Sequence, residues 1–199
     1  MNIIIEKQKE NTKLPAVLRA ALQLFVEKGI DGTTIKDIAK KAGVAEGALY
    51  RHFKSKDDLA WHLFSTHLSQ FTAELTAKVF AEPHAEARIR KFVTESFAAY
   101  ESDPELYTYL ILREHSELNK YAQEYAHPGH VVIRIIEEGQ KNGEIKAGEP
   151  YVLGSLFVGG VLRVAVVKMY GNISENLTHY SQYVAACVWA MLKGENSHG

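Results

Sequence analysis

The segment 33–56 concentrates side chains that bind phosphate groups and the edges of nucleic-acid bases. It holds six Lys or Arg residues against two acidic ones, so its formal charge is +4 in a protein whose net charge is −1. Arg51 is the first candidate for reading guanine, because one guanidinium can donate hydrogen bonds to both O6 and N7. A helical hairpin with a solvated basic face would have the same composition. The spacing of the apolar residues is therefore needed to distinguish such a hairpin from a DNA-binding unit.

The apolar residues of this segment predict two short helices joined by a tight turn. Thr33 and Thr34 are residue types that cap helix N-termini. An apolar stripe at i, i+3, i+4 and i+7 follows, formed by Ile35, Ile38, Ala39 and Ala42. Gly43 suits the left-handed conformation in which helices end, and the apolar pattern then resumes. This arrangement describes a helix-turn-helix, whose second helix fits the DNA major groove.

A preceding helix, from Leu14 to a stop at Gly29, would complete a three-helix head. The residues predicted to form its core are Leu24, Phe25, Ile38, Leu49 and Phe53. Charge supports a separate head, because residues 1–56 have a balance of +5 and residues 57–199 a balance of −6. A basic head on an acidic body is typical of a DNA-binding module joined to a domain that does not bind DNA.

The run Leu49–Leu59 (LYRHFKSKDDL) resembles the recognition-helix signature of the TetR family of transcriptional regulators. Thr33–Ala39 and Ala42–Val44 resemble the earlier part of the same motif, and the likeness extends without a gap from about Leu18 to Phe64. The resemblance implies an all-α fold, in which a three-helix helix-turn-helix DNA-binding head is joined to a larger helical ligand-binding and dimerisation domain. We place these domains at residues 1–56 and 57–199.

The resemblance also implies which residues bind DNA. Tyr50 and Lys56 occupy positions that hold phosphates in the family, although Tyr50 could instead pack beneath the second helix. Glu46 departs from the Lys or small polar residue that is common at its position, and it could accept from a cytosine amine or orient Arg51. The predicted DNA-binding set is Thr34, Lys36, Ala45, Glu46, Gly47, Ala48, Tyr50, Arg51, His52, Lys54 and Lys56.

Beyond the head, helical periodicity continues to the end of the chain. A capping-box-like pair, Ser55 and Asp58, predicts a long helix that reaches about Phe80. Further helices are predicted at 85–100, from Pro104 through Arg113 with an extension to Tyr125 and a break near Ser116 left open, and at 131–141, 151–170 and 175–193. The run Val164–Val167 has strand propensity, but the apolar segment around it is too long for a strand.

The last two predicted helices are candidates for a dimer surface. Segment 151–170 is apolar nearly all round, so one neighbouring face cannot bury it fully. In TetR-like proteins the two C-terminal helices form a four-helix bundle with a partner, whereas the alternative is an intramolecular core pair. A membrane span is disfavoured by Arg163 and Lys168, which predicts a buried helix. The predicted dimer residues are Leu153, Phe157, Val161, Val164, Tyr180, Val184, Val188 and Met191.

The resemblance further implies that the middle helices enclose a ligand pocket. The predicted lining residues are Phe71, Phe97, Tyr100, Tyr107, Leu110, Arg113, His115, Tyr121, Tyr125, Phe157 and Arg163. Arg113 and Arg163 each lie in an apolar stretch, where a buried guanidinium needs an anionic partner. A ligand carboxylate or phosphate would serve, and so would an internal acid such as Glu114 or Glu117. The aromatic residues could equally be simple core.

Other chemistries find little support in the sequence. The single cysteine, Cys187, excludes an internal disulfide, fits a reducing cytoplasm and is expected to be buried in an apolar helix. His127 and His130 lack a cysteine or acidic partner at ligand spacing, and the chain has no nucleophile–base motif or phosphate-binding glycine loop. We therefore expect a cytoplasmic protein that is not an enzyme, with no metal, no cofactor and no membrane partner.

These observations predict a DNA-binding transcriptional regulator. We expect a homodimeric repressor that a small hydrophobic or amphipathic ligand releases from a near-palindromic, double-stranded operator. One alternative is a protein of the same fold that organises or occludes DNA without an inducer. A less favoured alternative is an enzyme of the helical domain, in which the helix-turn-helix would be an accidental match.

Overall fold

The computed structural model describes residues 13–121 and 127–194, and within these ranges the fold is all-α. Nine α-helices and one 3-10 helix occur there. They are α1 (Leu14–Lys28), α2 (Ile35–Ala42), α3 (Glu46–Tyr50), α4 (Lys56–Val79), α5 (Ala85–Ser102), α6 (Pro104–Tyr121), α7 (Pro128–Lys141), α8 (Pro150–Met169), the 3-10 turn Leu177–Tyr180 and α9 (Ser181–Leu192). The expectation that Val164–Val167 is helical is confirmed. A lone antiparallel bridge joins Ile145 to Lys193.

The described residues form two compact units that are discontinuous in sequence. The head unit contains those of 13–67 and 105–121, and the body unit contains those of 68–104 and 127–194. Helix α4 contributes residues to both units, and α6 belongs almost wholly to the head unit. The division of the chain into functional domains at 1–56 and 57–199 stays a prediction.

Helix α1 begins and ends where its sequence dictates. Pro15 stands in the first turn, where its missing N–H would have no helical partner in any case, and Gly29 ends the helix with φ of 73°. Gly43 ends α2 in the left-handed conformation, with φ of 66°. Helix α3 is shorter than the apolar pattern suggests, because the chain leaves the helix after Tyr50 and Arg51 serves as its C-cap.

The predicted core of the head is confirmed. Leu24, Phe25, Ile38, Leu49 and Phe53 are all buried. Helix α6 adds a residue that the sequence reading placed in the ligand domain: Tyr109 stacks on the Phe25 ring at 6.0 Å and donates its hydroxyl to the Ala60 carbonyl oxygen at 2.7 Å. A second tie within the head unit is the Arg19–Glu105 ion pair, at 2.7 Å.

The body unit is built around the inner faces of α5, α7 and α8. Its central buried side chains are Ile89, Phe92, Val93, Phe97, Val132, Ile135, Ile136, Phe157 and Val161. The Phe92 and Phe157 rings meet edge to face at 5.1 Å. Gly154 permits close packing of α7 on α8, because a Cβ there would lie 2.7 Å from the Ile133 Cδ1 atom.

A charged cluster closes one edge of the body unit. The guanidinium groups of Arg134 and Arg88 lie 3.7 Å and 4.9 Å from the centroid of the Phe80 ring. Both groups also donate to Glu138, at 2.7 Å and 2.6 Å respectively. These two hydrogen bonds, that from Arg134 first, lower the pKa of the Glu138 carboxyl.

Two helix starts differ from the sequence expectation. The helix predicted at 131–141 begins three residues earlier, as α7: Pro128 lies in the first turn, and the His127 Nδ1 atom accepts from the Gly129 N–H at 2.9 Å. Residues 177–180 form a 3-10 turn instead of the first turn of the last helix. The Leu177 N–H donates to the Glu101 carboxylate at 2.6 Å, so a side chain of α5 holds this entry.

Candidate nucleic-acid interface

A capping box fixes the first turn of α2, where phosphate contacts were predicted. The Thr34 hydroxyl accepts from the Asp37 N–H at 3.1 Å and donates to the Asp37 carboxylate at 2.7 Å, and the Thr34 N–H donates to the same carboxylate at 3.1 Å. These hydrogen bonds from Thr34 lower the pKa of the Asp37 carboxyl. Because the hydroxyl proton of Thr34 is engaged, Lys36 is the side chain of this turn with donors to offer a phosphate.

The turn that leads into α2 is held by Thr33, beyond its predicted role as a residue type that caps helices. Thr33 is buried, and its hydroxyl donates to the Gly29 carbonyl oxygen at 2.8 Å. The Lys56 ammonium lies 3.5 Å from the Asp31 carbonyl oxygen of the same turn. Thr33 thus fixes the position at which α2 begins relative to α1.

The start of α4 follows the predicted pattern. The Asp58 N–H donates to the Ser55 hydroxyl at 3.0 Å, and the Lys54 N–H donates to the Asp58 carboxylate at 2.8 Å. These two bonds constrain the segment that follows α3, so they help to orient Lys54 and Lys56 beside it.

Helix α3 is anchored on one side and open on the other. Leu49 and the following Phe53 are buried in the head core, whereas Tyr50 is 57% exposed, which excludes packing beneath the helix. Arg51 and His52 are also exposed. A Cβ at Gly47 would meet no atom of the protein within 4 Å, so the space over the helix is open to a groove.

All of the predicted DNA-binding residues lie in the head unit, most of them at its surface. The exposed members are Thr34, Lys36, Ala45, Glu46, Gly47, Tyr50, Arg51, His52 and Lys54, and the half-buried ones are Ala48 and Lys56. Lys40 and Lys41 are exposed too, in the last turn of α2, where cations are favoured by the helix dipole. They were counted as charge in the sequence but not assigned to the site.

The predicted ligand-binding residues are divided between the two units. In the body unit Phe97, Phe157 and Tyr100 are buried and Phe71 is half-buried, and burial raises the pKa of the Tyr100 hydroxyl. In the head unit Tyr107 is buried, and Leu110 and Arg113 are half-buried. His115, Tyr121 and Tyr125 lie outside the residues whose side chains the structure describes.

The structure corrects the expectation for the second arginine of that set. Arg163 is exposed on α8, so it needs no internal anionic partner and does not line an interior cavity of the body unit. Arg113 lines a cavity of about 300 Å³ within the head unit, together with Lys28, Tyr109 and Leu112.

Most of the predicted dimer residues lie on faces of the last two helices that are buried within the protomer. Leu153, Phe157, Val161, Val184 and Val188 are buried within the protomer, and Val164, Tyr180 and Met191 are half-buried. The open faces carry instead Tyr151, Val152, Leu156, Gly159, Gly160, Arg163, Tyr183 and Cys187. Because α8 is apolar on all sides, its sequence periodicity does not show which side faces the protomer's own core.

The same open faces correct two further expectations. Cys187 is exposed, not buried. Helix α8 was expected to be buried, yet only 28% of its most apolar 18-residue window is buried within the protomer. By length and composition alone this helix could cross a membrane.

An exposed α3, carried on a buried and capped helix pair, defines a helix-turn-helix DNA-binding protein. Residues 17–63 match the family model described as "Bacterial regulatory proteins, tetR family". This match shows that the helix-turn-helix segment is similar to the DNA-binding domain of TetR-family regulators.

Three relatives extend the likeness over most of the chain. The fatty acid metabolism regulator protein of Bacillus subtilis is 27% identical over 179 residues, which cover 86% of this chain and 84% of that protein. The structure of a putative fatty acid metabolism regulator from Clostridium perfringens has a TM-score of 0.77 at 20% identity, covering 88% of this chain and 97% of its own. The Bacillus subtilis regulator FadR in complex with stearoyl-CoA has a TM-score of 0.71 at 20% identity, with the same coverages. The two structures show a common fold.

Proposed function

We propose that this chain is a cytoplasmic, homodimeric repressor that binds a near-palindromic DNA operator and is released by an amphipathic acyl ligand. The observation that carries the DNA-binding part is the open face of α3. Arg51, Tyr50 and Glu46 are exposed on this face, whereas the opposite face of the helix is buried in the core of the head. Exposed polar and basic side chains on a rigidly packed second helix are what major-groove reading requires.

The DNA contacts divide by chemistry. Arg51 reads guanine through two parallel hydrogen bonds, and Glu46 accepts from a cytosine amine or orients Arg51. Lys36, Tyr50, Lys54 and Lys56 hold phosphates on either side, which fixes the register of the helix without specifying sequence.

The dimer forms through the open faces of α8 and α9. Val152 and Leu156 would be buried by a partner copy, and Gly159 and Gly160 leave room for a partner helix, because a Cβ at either would meet nothing within 4 Å in the protomer. A two-fold axis makes this surface self-complementary. In such a dimer the α3 helices of the two protomers would read half-sites about 34–36 Å apart, or a multiple of one DNA turn apart. The operator is therefore expected to be a near-palindrome.

The effector proposal rests on relatives and on the aromatic interior of the body unit. One structural relative was solved in complex with stearoyl-CoA, and a sequence relative is named a fatty acid metabolism regulator. Phe97, Tyr100 and Phe157 supply buried aromatic surface of the kind that packs on an acyl chain. By linkage, such a ligand weakens DNA binding by the same factor as DNA weakens ligand binding.

The test is fluorescence anisotropy with labelled DNA from upstream of the protein's own gene, against a scrambled duplex, over a salt series. We expect tight binding to the native duplex, with Arg51→Ala weakening it and Lys141→Ala, a charge-matched change in the body unit, leaving it unaltered. Stearoyl-CoA should then raise the apparent Kd to a plateau. Binding that is weak, equal for the two duplexes and steeply reduced by salt would reflect only attraction to phosphates. That result would contradict the proposed repressor function.

A further inference from the structure

A cavity beside the DNA-reading residues has the features of a small-molecule site. It lies within the head unit, between the first turn of α1 and α3, and has a volume of about 310 Å³. Its floor is formed by the buried side chains Val17, Leu49 and Phe53. This volume is within the range of pockets that hold small ligands, which are mostly apolar with a few polar groups at their edges.

The rim of this cavity carries one sign of charge. Lys13, Arg51 and His52 line it and are exposed, and none of the described residues that line it is acidic. A basic rim over an apolar floor is complementary to a molecule with an anionic head and a short aliphatic tail. The guanidinium can bind a carboxylate through two parallel hydrogen bonds, while the tail displaces water from the floor.

We propose that this cavity is a second ligand site, which binds a medium-chain aliphatic carboxylate in direct competition with DNA. The competition rests on the proposed function, because Arg51 and His52 belong to the proposed DNA-reading set and cannot bind a base and the carboxylate together. The site differs from the proposed effector site of the body unit in location and in mechanism. One ligand acts by occupying the reading residues, and the other acts at a distance.

Binding is tested without DNA, by methyl NMR of the full-length protein titrated with sodium octanoate. We expect saturable shifts of the Leu14, Val17 and Val44 methyl signals, with a Kd on the order of 1 mM for a ligand of this size. Octanol and octylammonium, which share the tail but lack the negative charge, should give no saturation in the same range. Equal shifts with octanol, or shifts confined to methyl groups of the body unit, would overturn the proposal.

Charge variants locate the carboxylate. Lys13→Glu, at the exposed rim, should weaken octanoate binding roughly fivefold, and Leu14→Gln should weaken it by removing apolar contact. Lys28→Glu, at the other end of α1, changes the net charge equally but lies outside the cavity lining, so it should leave the Kd unchanged. Equal effects of Lys13→Glu and Lys28→Glu would reduce the binding to nonspecific attraction and would overturn the site.

Competition is tested with the labelled native duplex, using sodium acetate at equal ionic strength as the control for salt. Direct competition predicts that the apparent Kd for DNA rises in proportion to octanoate concentration without a plateau, and that Lys13→Glu lessens this rise. A plateau that Lys13→Glu does not change would indicate coupling from a remote site and contradict competition. If the duplex binding itself proves independent of sequence, the proposed function fails, while the NMR titration still decides whether the cavity binds the carboxylate.

Residues 1–12 directly precede the lining residue Lys13 in the sequence, so their competition with octanoate for the cavity has to be tested. A variant that lacks residues 1–12 separates the two cases. Octanoate binding that is equal in the full chain and in the shortened variant supports a free site. Binding that occurs only after the shortening would mean that the N-terminal segment occupies the cavity, and the proposal would be wrong.

Discussion

Leu156 and Phe157 are adjacent on α8, yet they should govern two different equilibria. Phe157 is 0% exposed and packs on the Phe92 ring, so Phe157→Ala should destabilise the folded protomer by about 3–5 kcal/mol, the usual cost for a buried aromatic side chain. Leu156 is 54% exposed. Its truncation should therefore leave the stability of the isolated protomer within about 0.5 kcal/mol.

The effect of Leu156→Ala on dimerisation follows from the exposed part of its side chain. Full burial of a leucine side chain is worth about 1.5–3 kcal/mol, so the exposed half contributes about 1 kcal/mol when a partner covers it. A two-fold interface contains the residue twice, which gives about 2 kcal/mol. The dimer Kd should therefore rise by roughly thirtyfold.

Sedimentation equilibrium measures the dimer Kd, and urea unfolding at several protein concentrations separates protomer stability from association. Val158→Ala, a half-buried apolar truncation on the same helix outside the predicted dimer residues, is the control for a general loss of α8 stability. Leu156 does not lie in the dimer interface if Leu156→Ala leaves the dimer Kd unchanged. It acts within the protomer's own core if Leu156→Ala lowers protomer stability as much as Phe157→Ala does.

Three further changes probe the head and the open face of α8. Tyr109→Phe removes the 2.7 Å hydrogen bond to the Ala60 carbonyl oxygen, so the free energy of unfolding measured in urea should fall by about 0.5–1.5 kcal/mol. An unchanged free energy of unfolding would mean that this bond does not form in solution. Because Asp37 has a lowered pKa in the fold, its contribution is present above the ordinary carboxyl pKa near 4 and is lost as pH falls through the lowered value. The protection factors of the α2 amides, which correct the exchange rates for their intrinsic pH dependence, should therefore fall in acid, and Asp37→Asn should remove that dependence. Gly160→Ala should stabilise the protomer by up to about 1 kcal/mol through helix propensity yet weaken the dimer, and an unaltered dimer Kd would place the partner elsewhere.

The head could be predicted in detail because its signals are local. The Thr34 cap, the Gly43 stop and the Ser55–Asp58 pair each depend on residues within four positions, and each is found in the structure. Leu49 and Phe53 were assigned to the core, and both are buried. For Tyr50 the sequence left packing beneath the second helix open, and its exposure excludes that alternative. The role of Tyr109 in this core was not predictable from local patterns. Its helix, α6, lies more than forty residues after Ala60, the residue whose carbonyl oxygen it contacts.

The last two helices show where periodicity stops being informative. Helix α8 is apolar on every side, so Leu153 and Val152 look equivalent in the sequence although one is buried and the other exposed. Only the packing of α5 and α7 decides which side becomes core, and that information is not local. The same limit explains why Cys187 and Arg163 were placed inside. The exposure of Gly159 and Gly160, in contrast to the crowded Gly154, is likewise a property of tertiary packing.

The central claim is that α3 reads a specific DNA sequence in a two-fold arrangement. Selection of binding sites from a random duplex pool, with the wild-type chain and with Arg51→Ala in parallel, tests it most directly. We predict a near-palindromic consensus, and we predict that Arg51→Ala loses the preference for guanine at one position in each half-site by about fivefold to 150-fold, the discrimination of one bidentate contact. A pool that shows no enriched sequence, or an Arg51→Ala consensus identical to that of the wild type, would contradict the account.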